Sequence, residues 1–385
     1  MKPINLAAGR TSTSMQSTTG SRGTHSTSTS TASRPRHSSL TSAAASRTLV
    51  IALAWGYKVD IYKAFILSLR QTAGYSGEIS ILAPPNRTLP ACASLCAQHN
   101  VHLVDFASLG YEPGKVPPKL MGERFRMYSR LCIAGTYSWC LAADFRDVFF
   151  QRDPFSDVLR GRYNGVSLHE LSASSTLLDR YSSALDTAEL VLPAEDRTVG
   201  TCPVNSKVVR TCFGARALAQ MHNQSVLCSG VLLGTPKGFA LLSIISDLVK
   251  RCPFDKMADQ GSLLYAAYVV APSTGGAPAS PPLRWDRDSV PAVVQPRGTG
   301  IVNTVGIFKG TERTLAFERA HMRAGVVLND DHKPSPIVHQ YDRILRSTGP
   351  GGYFGRTQKL LRLKAIDDAL GESRADAAWL PLGAR

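Results

Sequence analysis

The chain has 385 residues, of which 43 % are hydrophobic and 19 % charged, so it has the composition of a soluble globular protein with one large domain or two small ones. Its formal net charge of +15 suits an anionic partner such as a nucleotide diphosphate. No basic run is interleaved with aromatic residues, which argues against a nucleic-acid partner. No apolar run approaches the roughly 18 residues of a spanning helix, so membrane association would require an N-terminal anchor that this sequence lacks.

The N-terminal segment, residues 1–46, is rich in Ser, Thr, Ala and Arg, and Asp60 is the first acidic residue of the chain. Such a composition cannot bury enough apolar surface to offset the entropy lost on ordering. It predicts a disordered tail. A stem or linker and an organelle transit peptide both fit this composition.

From residue 47 onward, apolar runs alternate with helical patterns. The predicted strands lie at 49–54, 79–82, 101–104 and 138–143, and the predicted helices at 61–69, 89–99 and 124–135. This alternation predicts an α/β fold with a mainly parallel sheet and helices on both faces, forming a single large domain over 47–347. Right-handed crossovers place the carboxyl ends of parallel strands at one edge, where ligands bind.

The second half of the chain has a less regular pattern. Strands are predicted at 165–168 and 229–233, helices at 239–250 and 260–269, a flexible Pro- and Gly-rich insertion at 271–300, and a C-terminal tail at 348–385 with a short helix at 358–370.

The eight cysteines show no zinc-ligand spacing. Cys202 and Cys212 flank a polar loop and could form a disulfide in an oxidising compartment, and the alternative is eight ordinary thiols. Sequons begin at Asn86 and Asn223, which would fit a secretory lumen.

The most informative segment is the apolar strand at 139–143, which is followed by Asp144, Arg146 and Asp147. Carboxylates at a strand end are costly unless they bind or pair with a cation, and a divalent metal shared with substrate phosphates meets this need. A structural Asp–Arg pair is the alternative. Because Asp147 is three residues from Asp144, only a turn could bring both carboxylates to one cation. Without a metal, Arg146 would supply part of the positive charge.

Residues 144–155, D-F-R-D-V-F-F-Q-R-D-P-F, resemble the DxD-bearing strand of GT-A glycosyltransferases, in a subgroup of nucleotide-diphospho-sugar transferases. Three further segments match in the same order: 65–77, the glycogenin-like D-Q-G at 259–261, and H-Q-Y-D-R at 339–343. The resemblance spans about residues 48–345. It implies a GT-A (Rossmann-like) fold and a hexosyltransferase that uses a nucleotide-sugar donor, with a UDP-sugar as first choice, and a glycan or glycoprotein acceptor.

The resemblance also implies Mn²⁺ or Mg²⁺ as cofactor and the Golgi lumen as location, with a plastid or the cytoplasm as alternatives. It assigns roles to ten residues, which are Asp144, Asp147 and His339 as metal ligands, Asp259 and Gln260 as catalytic residues, and Tyr57, Arg124, Asp144, Arg146, Ser229 and Gly230 at the nucleotide donor. If Gln260 lies beneath the sugar, retention of the anomeric configuration follows.

Simpler interpretations remain open for several of these residues. Asp259 could be a helix N-cap, His339 a hydrogen-bonded surface histidine, and Cys228 a small buried hydrophobe. The whole domain could be a non-catalytic GT-A-like protein that binds nucleotide or glycan. A nucleotidyltransferase would carry a glycine-rich loop after the first strand, where this chain has Trp55-Gly56-Tyr57-Lys58.

Overall fold

The computed structural model describes residues 47–159, 166–167, 188–254, 257–270, 292–295, 297–298, 300–305, 320–323 and 326–341. All of them belong to the unit Ala45–Arg385. The predicted tail at 1–46, the predicted helix at 358–370 and residues 271–291 of the predicted insertion lie outside the described residues. Within the described ranges, no helix has the length and apolar character needed to cross a bilayer.

The first part of the chain alternates strands and helices as predicted. It contains β1 (Thr48–Leu53), α1 (Val59–Leu67), β2 (Glu78–Leu82), α2 (Pro90–Gln98), β3 (His102–Val104), α3 (Leu120–Ala134) and β4 (Trp139–Asp144). A π-helical turn, Ser68–Thr72, extends α1, and 3₁₀ turns lie at Pro85–Arg87 and Phe106–Leu109. Each predicted strand bound lies within one residue of the observed one. Continuous apolar runs identify the buried strands β1 and β4, whereas β3 is a short and mostly exposed edge strand.

The second part contains more elements than the sequence predicts. Its strands are β5 (Val148–Phe150), β6 (Val166–Ser167), β7 (Leu190–Thr198), β8 (Ser225–Leu227), β9 (Val231–Gly234), β10 (Ala292–Gln295), β11 (Val302–Thr304), β12 (Met322–Arg323), β13 (Val326–Val327) and β14 (Ile337–His339). Its helices are α4 (Pro203–Met221), α5 (Pro236–Ala240), α6 (Leu242–Arg251) and α7 (Ala258–Tyr265), the last followed by a π-helical turn, Ala266–Val270.

Two predictions for this part are wrong in detail. The segment predicted as one helix at 239–250 contains two helices, α5 and α6. The first begins at Pro236, earlier than predicted, because the Thr235 hydroxyl accepts from the Gly238 amide at 3.3 Å and caps the helix there. The segment 271–300 is not all loop, since it contains β10, a fully buried strand that pairs with β7.

The main sheet has the order β3-β2-β1-β4-β9-β7-β10-β6, with β8 paired to β7. Strands β3, β2, β1 and β4 are mutually parallel, β9 runs antiparallel to both β4 and β7, and β10 is parallel to β7. Six strands therefore run in one direction, which confirms a mainly parallel sheet. Their carboxyl ends lie at one edge, where β9 begins.

Alternate residues of β1 face two separate hydrophobic cores. Ile51 packs in the core that contains Phe125 of α3, and Val50 packs in the core that contains Phe65 of α1. This two-residue period is that of an extended strand, and it places helices on both faces of the sheet. The α/β layering predicted from the sequence is confirmed.

A small second sheet, β11-β14-β5, extends from the carboxyl end of β4. Its central strand, β14, pairs antiparallel with β5 so that His339 lies opposite Val148. Since β5 begins directly after the turn that contains Asp147, this pairing brings the C-terminal part of the domain onto the end of β4.

Two disulfides tie helices to neighbouring elements. Cys132–Cys140 joins α3 to β4 with Cα atoms 6.1 Å apart, and Cys212–Cys252 joins α4 to the residue after α6 with Cα atoms 4.6 Å apart. The predicted Cys202–Cys212 disulfide is wrong. Cys202 is a buried thiol that accepts a hydrogen bond from Asn205 Nδ2 at 3.2 Å.

We expect removal of the Cys212–Cys252 bond to destabilise the protein more than removal of Cys132–Cys140. A crosslink restricts the unfolded chain more when it closes a longer loop, and the separations are 40 and 8 residues. Loop-closure entropy gives about 4 and about 2.5 kcal/mol for loops of these lengths. Denaturant unfolding of the two double Cys→Ala variants tests this order.

The control is Cys202→Ala, which removes a buried thiol without breaking a crosslink. Peptide mapping under non-reducing conditions should recover both linked pairs and a free Cys202. A Cys202–Cys212 peptide, or equal destabilisation by the two double variants, would contradict this arrangement.

Candidate functional site

The carboxyl end of β4 delivers two carboxylates through a tight turn. Asp144 is the last residue of β4, and its amide donates to the Gly230 carbonyl oxygen at 2.6 Å. Asp147 closes the turn before β5 and is only 4 % exposed. The chain thus makes the turn that the spacing of the two carboxylates required.

Asp144, Asp147 and His339 converge at this point. One carboxylate oxygen from each aspartate and one imidazole nitrogen all lie within 4.8 Å of one another. His339 Nε2 lies 3.7 Å from Asp144 Oδ2 and 3.9 Å from Asp147 Oδ1. The three residues assigned to a metal from the sequence therefore form one cluster.

His339 is buried, so its interpretation as a surface histidine is wrong. Its Nδ1 lies 3.1 Å from Cys228 Sγ and 3.4 Å from Thr304 Oγ1, while its Nε2 has no hydrogen-bond partner. Buried polar atoms are rarely left without a partner. The unpartnered Nε2 beside two carboxylates therefore indicates a place for a ligand.

The charged groups of the cluster shift the pKa values of one another. Burial alone would lower the pKa of His339, but the Cys228 sulfur and the Asp144 and Asp147 carboxylates outweigh it and hold that pKa well above its ordinary value. Burial would likewise raise the pKa of Asp144, yet the charges of Arg124 and His339 hold it well below its usual range. The cluster thus strongly favours a positive charge at its centre.

Gly230 leaves this centre open. A Cβ at this position would lie 2.6 Å from Asp144 Oδ2 and 2.6 Å from His339 Nε2, closer than real Cβ contacts. Only glycine therefore allows the start of β9 to pass beside both groups. The requirement concerns space, since any side chain would fill the volume between the carboxylate and the imidazole.

Arg124 on α3 connects β4 to α7. Its side chain, 4 % exposed, donates to the Asp144 carboxylate, to Asp259 Oδ2 at 2.9 Å and to the Ser229 carbonyl oxygen at 3.2 Å. Burial would lower the pKa of Arg124, but the carboxylates of Asp144 and Asp259 overcome that effect and raise it. One buried guanidinium therefore bridges two carboxylates that are far apart in the chain.

The start of α7 presents Asp259 and Gln260. The helix begins at Ala258 after the left-handed Met257, so Asp259 lies inside the first turn and is not an N-cap. Its carboxylate pairs with Arg124 and accepts from Ser229 Oγ at 3.4 Å. The N-cap interpretation is wrong because the buried cation, and not the helix end, holds this side chain.

The Gln260 amide is held at one end. Its Nε2 donates to Glu195 Oε1 and to the Leu227 carbonyl oxygen, each at 2.9 Å. These two acceptors identify which end of the amide is nitrogen. The carbonyl oxygen is therefore the end that stays available to a ligand.

Tyr57 and Arg146 lie on the β1 side of the same edge. The half-buried Tyr57 ring stacks on Phe145 with centroids 5.8 Å apart. Burial raises the pKa of Tyr57, the charge of Arg146 opposes that rise, and the charges of Asp144 and Asp147 add to it. The Arg146 side chain is exposed, whereas the buried Arg124 pairs with Asp144.

The sequence analysis assigned no role to Glu195, Thr304 or Gln340, and it treated Cys228 only as a small buried hydrophobe. All four residues shape the site. Gln340 adopts a left-handed conformation with φ of 59° and donates its amide to the Asp147 carbonyl oxygen at 2.7 Å. Two of them carry a signal, because Cys228 precedes Ser229-Gly230 and Gln340 follows His339 in the H-Q-Y-D-R segment. Glu195 and Thr304 reach the site only through the three-dimensional fold, which local patterns do not encode.

No protein-family model and no curated protein matches the chain. Solved structures similar to it include the galactosyltransferase LgtC in complex with donor and acceptor sugar analogues, at 13 % identity over 81 % of this chain and 95 % of that one, with a TM-score of 0.39. The bifunctional glycosyltransferase WbbM is 12 % identical over 82 % of this chain and 52 % of that one, with a TM-score of 0.43. The glycosyltransferase GlyE of Streptococcus pneumoniae TIGR4 is 14 % identical over 88 % of this chain and 66 % of that one, with a TM-score of 0.41. Similarity this low assigns no role to any residue.

We expect Arg124→Ala to lower the free energy of unfolding by about 3 kcal/mol, because it leaves the buried Asp259 and the partly buried Asp144 without the cation that bridges them. Arg126→Ala is the matched control. It lies on the same helix with a side chain 24 % exposed and pairs with the exposed Asp247 and with Glu123. Because Lys250 remains as a cation for Glu123, Arg126→Ala should cost only about 1 kcal/mol. Urea unfolding of both variants without added metal measures the difference, and similar losses would show that the bridge is not central to stability.

Proposed function

We propose that this chain is a GT-A-type glycosyltransferase that moves a sugar from a nucleotide-diphosphate donor, a UDP-sugar first, to a glycan or protein hydroxyl. The observation that carries the proposal is the convergence of Asp144, Asp147 and His339 at the carboxyl edge of a mainly parallel sheet. Ligands of open α/β sheets bind at this edge. The sequence resemblance in the same segments points to the same chemistry.

The cluster suits a divalent cation such as Mn²⁺ or Mg²⁺. Two carboxylate oxygens and one imidazole nitrogen are a ligand set for a fairly hard metal, with His339 Nε2 unpartnered and Gly230 leaving space. When bound, the ion would supply positive charge to the diphosphate leaving group.

The protein's own residues orient the donor and stabilise charge. During transfer, negative charge grows on the diphosphate oxygen while the sugar becomes oxocarbenium-like. Arg124 fixes Asp144 and Asp259 in place before the reaction, so no side chain has to reorganise as that charge develops. We assign Tyr57 to the donor base and the exposed Arg146 to the diphosphate.

Asp259 and Gln260 would face the reacting sugar and the acceptor. Because Gln260 Nε2 is engaged by Glu195 and Leu227, its carbonyl oxygen is the atom that would meet the sugar. An oxygen beneath the anomeric carbon would stabilise positive charge there, which favours retention of configuration. Holding acceptor and donor in line would supply the other large part of the rate.

We expect Mn²⁺ with UDP to raise the melting temperature of the wild type and not that of Asp147→Asn. When the free ligand concentration is about 100 times the dissociation constant, binding raises the free energy of unfolding by about 2.7 kcal/mol. Asp147→Asn keeps the size of the side chain but removes one ligand charge. Thermal shift and hydrolysis of a panel of nucleotide sugars, with and without manganese, measure binding and activity.

Asp157→Asn is the matched control, because it removes a carboxylate that pairs with Arg152 near the surface. It should bind and turn over donor like the wild type. Binding of Mn²⁺ and nucleotide without hydrolysis or transfer for any donor would identify the non-catalytic alternative. Absence of binding to every nucleotide would refute the proposal.

We further propose that the protein resides in the secretory lumen. Two disulfides suit an oxidising compartment, and Asn86 and Asn223 of the two sequons are both exposed. A plastid or cytoplasmic location would leave both asparagines unmodified.

We expect the full chain, produced in eukaryotic cells, to carry N-linked glycans. Endoglycosidase treatment should increase its electrophoretic mobility, and the Asn86→Gln/Asn223→Gln variant should migrate like the treated wild type. An unglycosylated wild type found in the cytosol or in plastids would contradict the luminal assignment.

A further inference from the structure

We propose that Cys228 is a positioning residue for the metal site, because its sulfur holds the His339 ring with Nε2 directed at Asp144 and Asp147. The inference rests on the proposed function, since it concerns the cation that these three residues would bind. It assigns a defined polar role to a thiol that touches none of the carboxylates.

The contact occurs on the side of the ring opposite the cluster. Cys228 Sγ lies 3.1 Å from Nδ1, whereas Nε2 faces Asp144 and Asp147 at 3.7 and 3.9 Å. Cys228 and His339 are 1 % and 2 % exposed, so water does not compete for Nδ1. An imidazole binds a metal through one nitrogen while the other nitrogen donates to a partner that fixes the ring.

The direction of this hydrogen bond follows from the Nε2 side. When the cation is bound, His339 must present its Nε2 lone pair to the ion, so the neutral ring carries its proton on Nδ1. The nearer acceptor for that proton is Cys228 Sγ, at 3.1 Å. Nε2 makes no hydrogen bond, because the two carboxylates that it faces, at 3.7 and 3.9 Å, lie beyond hydrogen-bond distance.

Among the described residues, the other neighbour of Nδ1 that could accept this proton is the Thr304 hydroxyl, at 3.4 Å. Thr304 lies on β11 directly opposite His339, whereas Cys228 lies between β8 and β9. Loss of the sulfur would leave Thr304 as the acceptor that remains in the described part of the chain. The ring would turn toward it, and Nε2 would turn away from the carboxylates.

The test compares Cys228→Ala, which removes the acceptor, with Cys228→Ser, which keeps a polar acceptor. Cys202→Ala is the control, because it removes another buried thiol on a different element. Mn²⁺ affinity, measured on purified protein with the metal alone by electron paramagnetic resonance, should fall about 10- to 100-fold in Cys228→Ala. It should stay within a few-fold of the wild type in the other two variants.

Metal-free crystal structures of the wild type and of Cys228→Ala form the second arm. We expect His339 Nε2 to face Asp144 in the wild type and to be turned away in Cys228→Ala. An unchanged ring and an unchanged Mn²⁺ affinity in Cys228→Ala would overturn the inference, as would equal losses in Cys202→Ala. A wild type that binds no Mn²⁺ would instead remove the metal from the proposed function, and the ring orientation would still decide whether Cys228 positions His339.

Discussion

The bridge that Arg124 makes between Asp144 and Asp259 is the interaction on which the site depends. A buried guanidinium is costly unless its charge is compensated, and two carboxylates compensate it here. The bridge fixes α3, the end of β4 and the start of α7 relative to one another. The Cys132–Cys140 disulfide ties the same helix and strand at their other ends. The position of Asp144 is thus set from both ends of β4.

The reversed strand β9 completes the site. Parallel strands bring their carboxyl ends to one edge, but a strand running the opposite way brings its first residues there. Because β9 lies between β4 and β7, its entry segment Ser229-Gly230 passes directly beside Asp144. Because Gly230 has no side chain, the space beside the Asp144 carboxylate and the His339 ring stays unfilled. Sheet topology and one small residue therefore create the opening together.

The sequence predicts the part of the fold that local patterns determine. Continuous apolar runs identified β1 and β4, because buried parallel strands need no polar alternation. It could not predict β14, since a three-residue strand becomes stable only by pairing with β5 and β11. The convergence of Asp144, Asp147 and His339 was predicted through resemblance and not through physics. The Arg124 bridge and the contact between Gln260 and Glu195 link distant segments, so no spacing rule could reveal them.

The charges of the site support the divalent cation that we propose. Asp144, Asp147 and Asp259 bring three negative charges, and Arg124 supplies one positive charge. With a proton on His339, the group would still carry one net negative charge, and the proton would occupy the nitrogen that makes no hydrogen bond. A divalent ion with a neutral His339 would balance the group completely and would use that same nitrogen. Because uncompensated charge in a buried site is expensive, the arrangement is better suited to an ion than to an imidazolium. The Asp144 and Asp147 carboxylates, which help to raise the pKa of His339, are the same groups that we propose as ligands of the divalent cation.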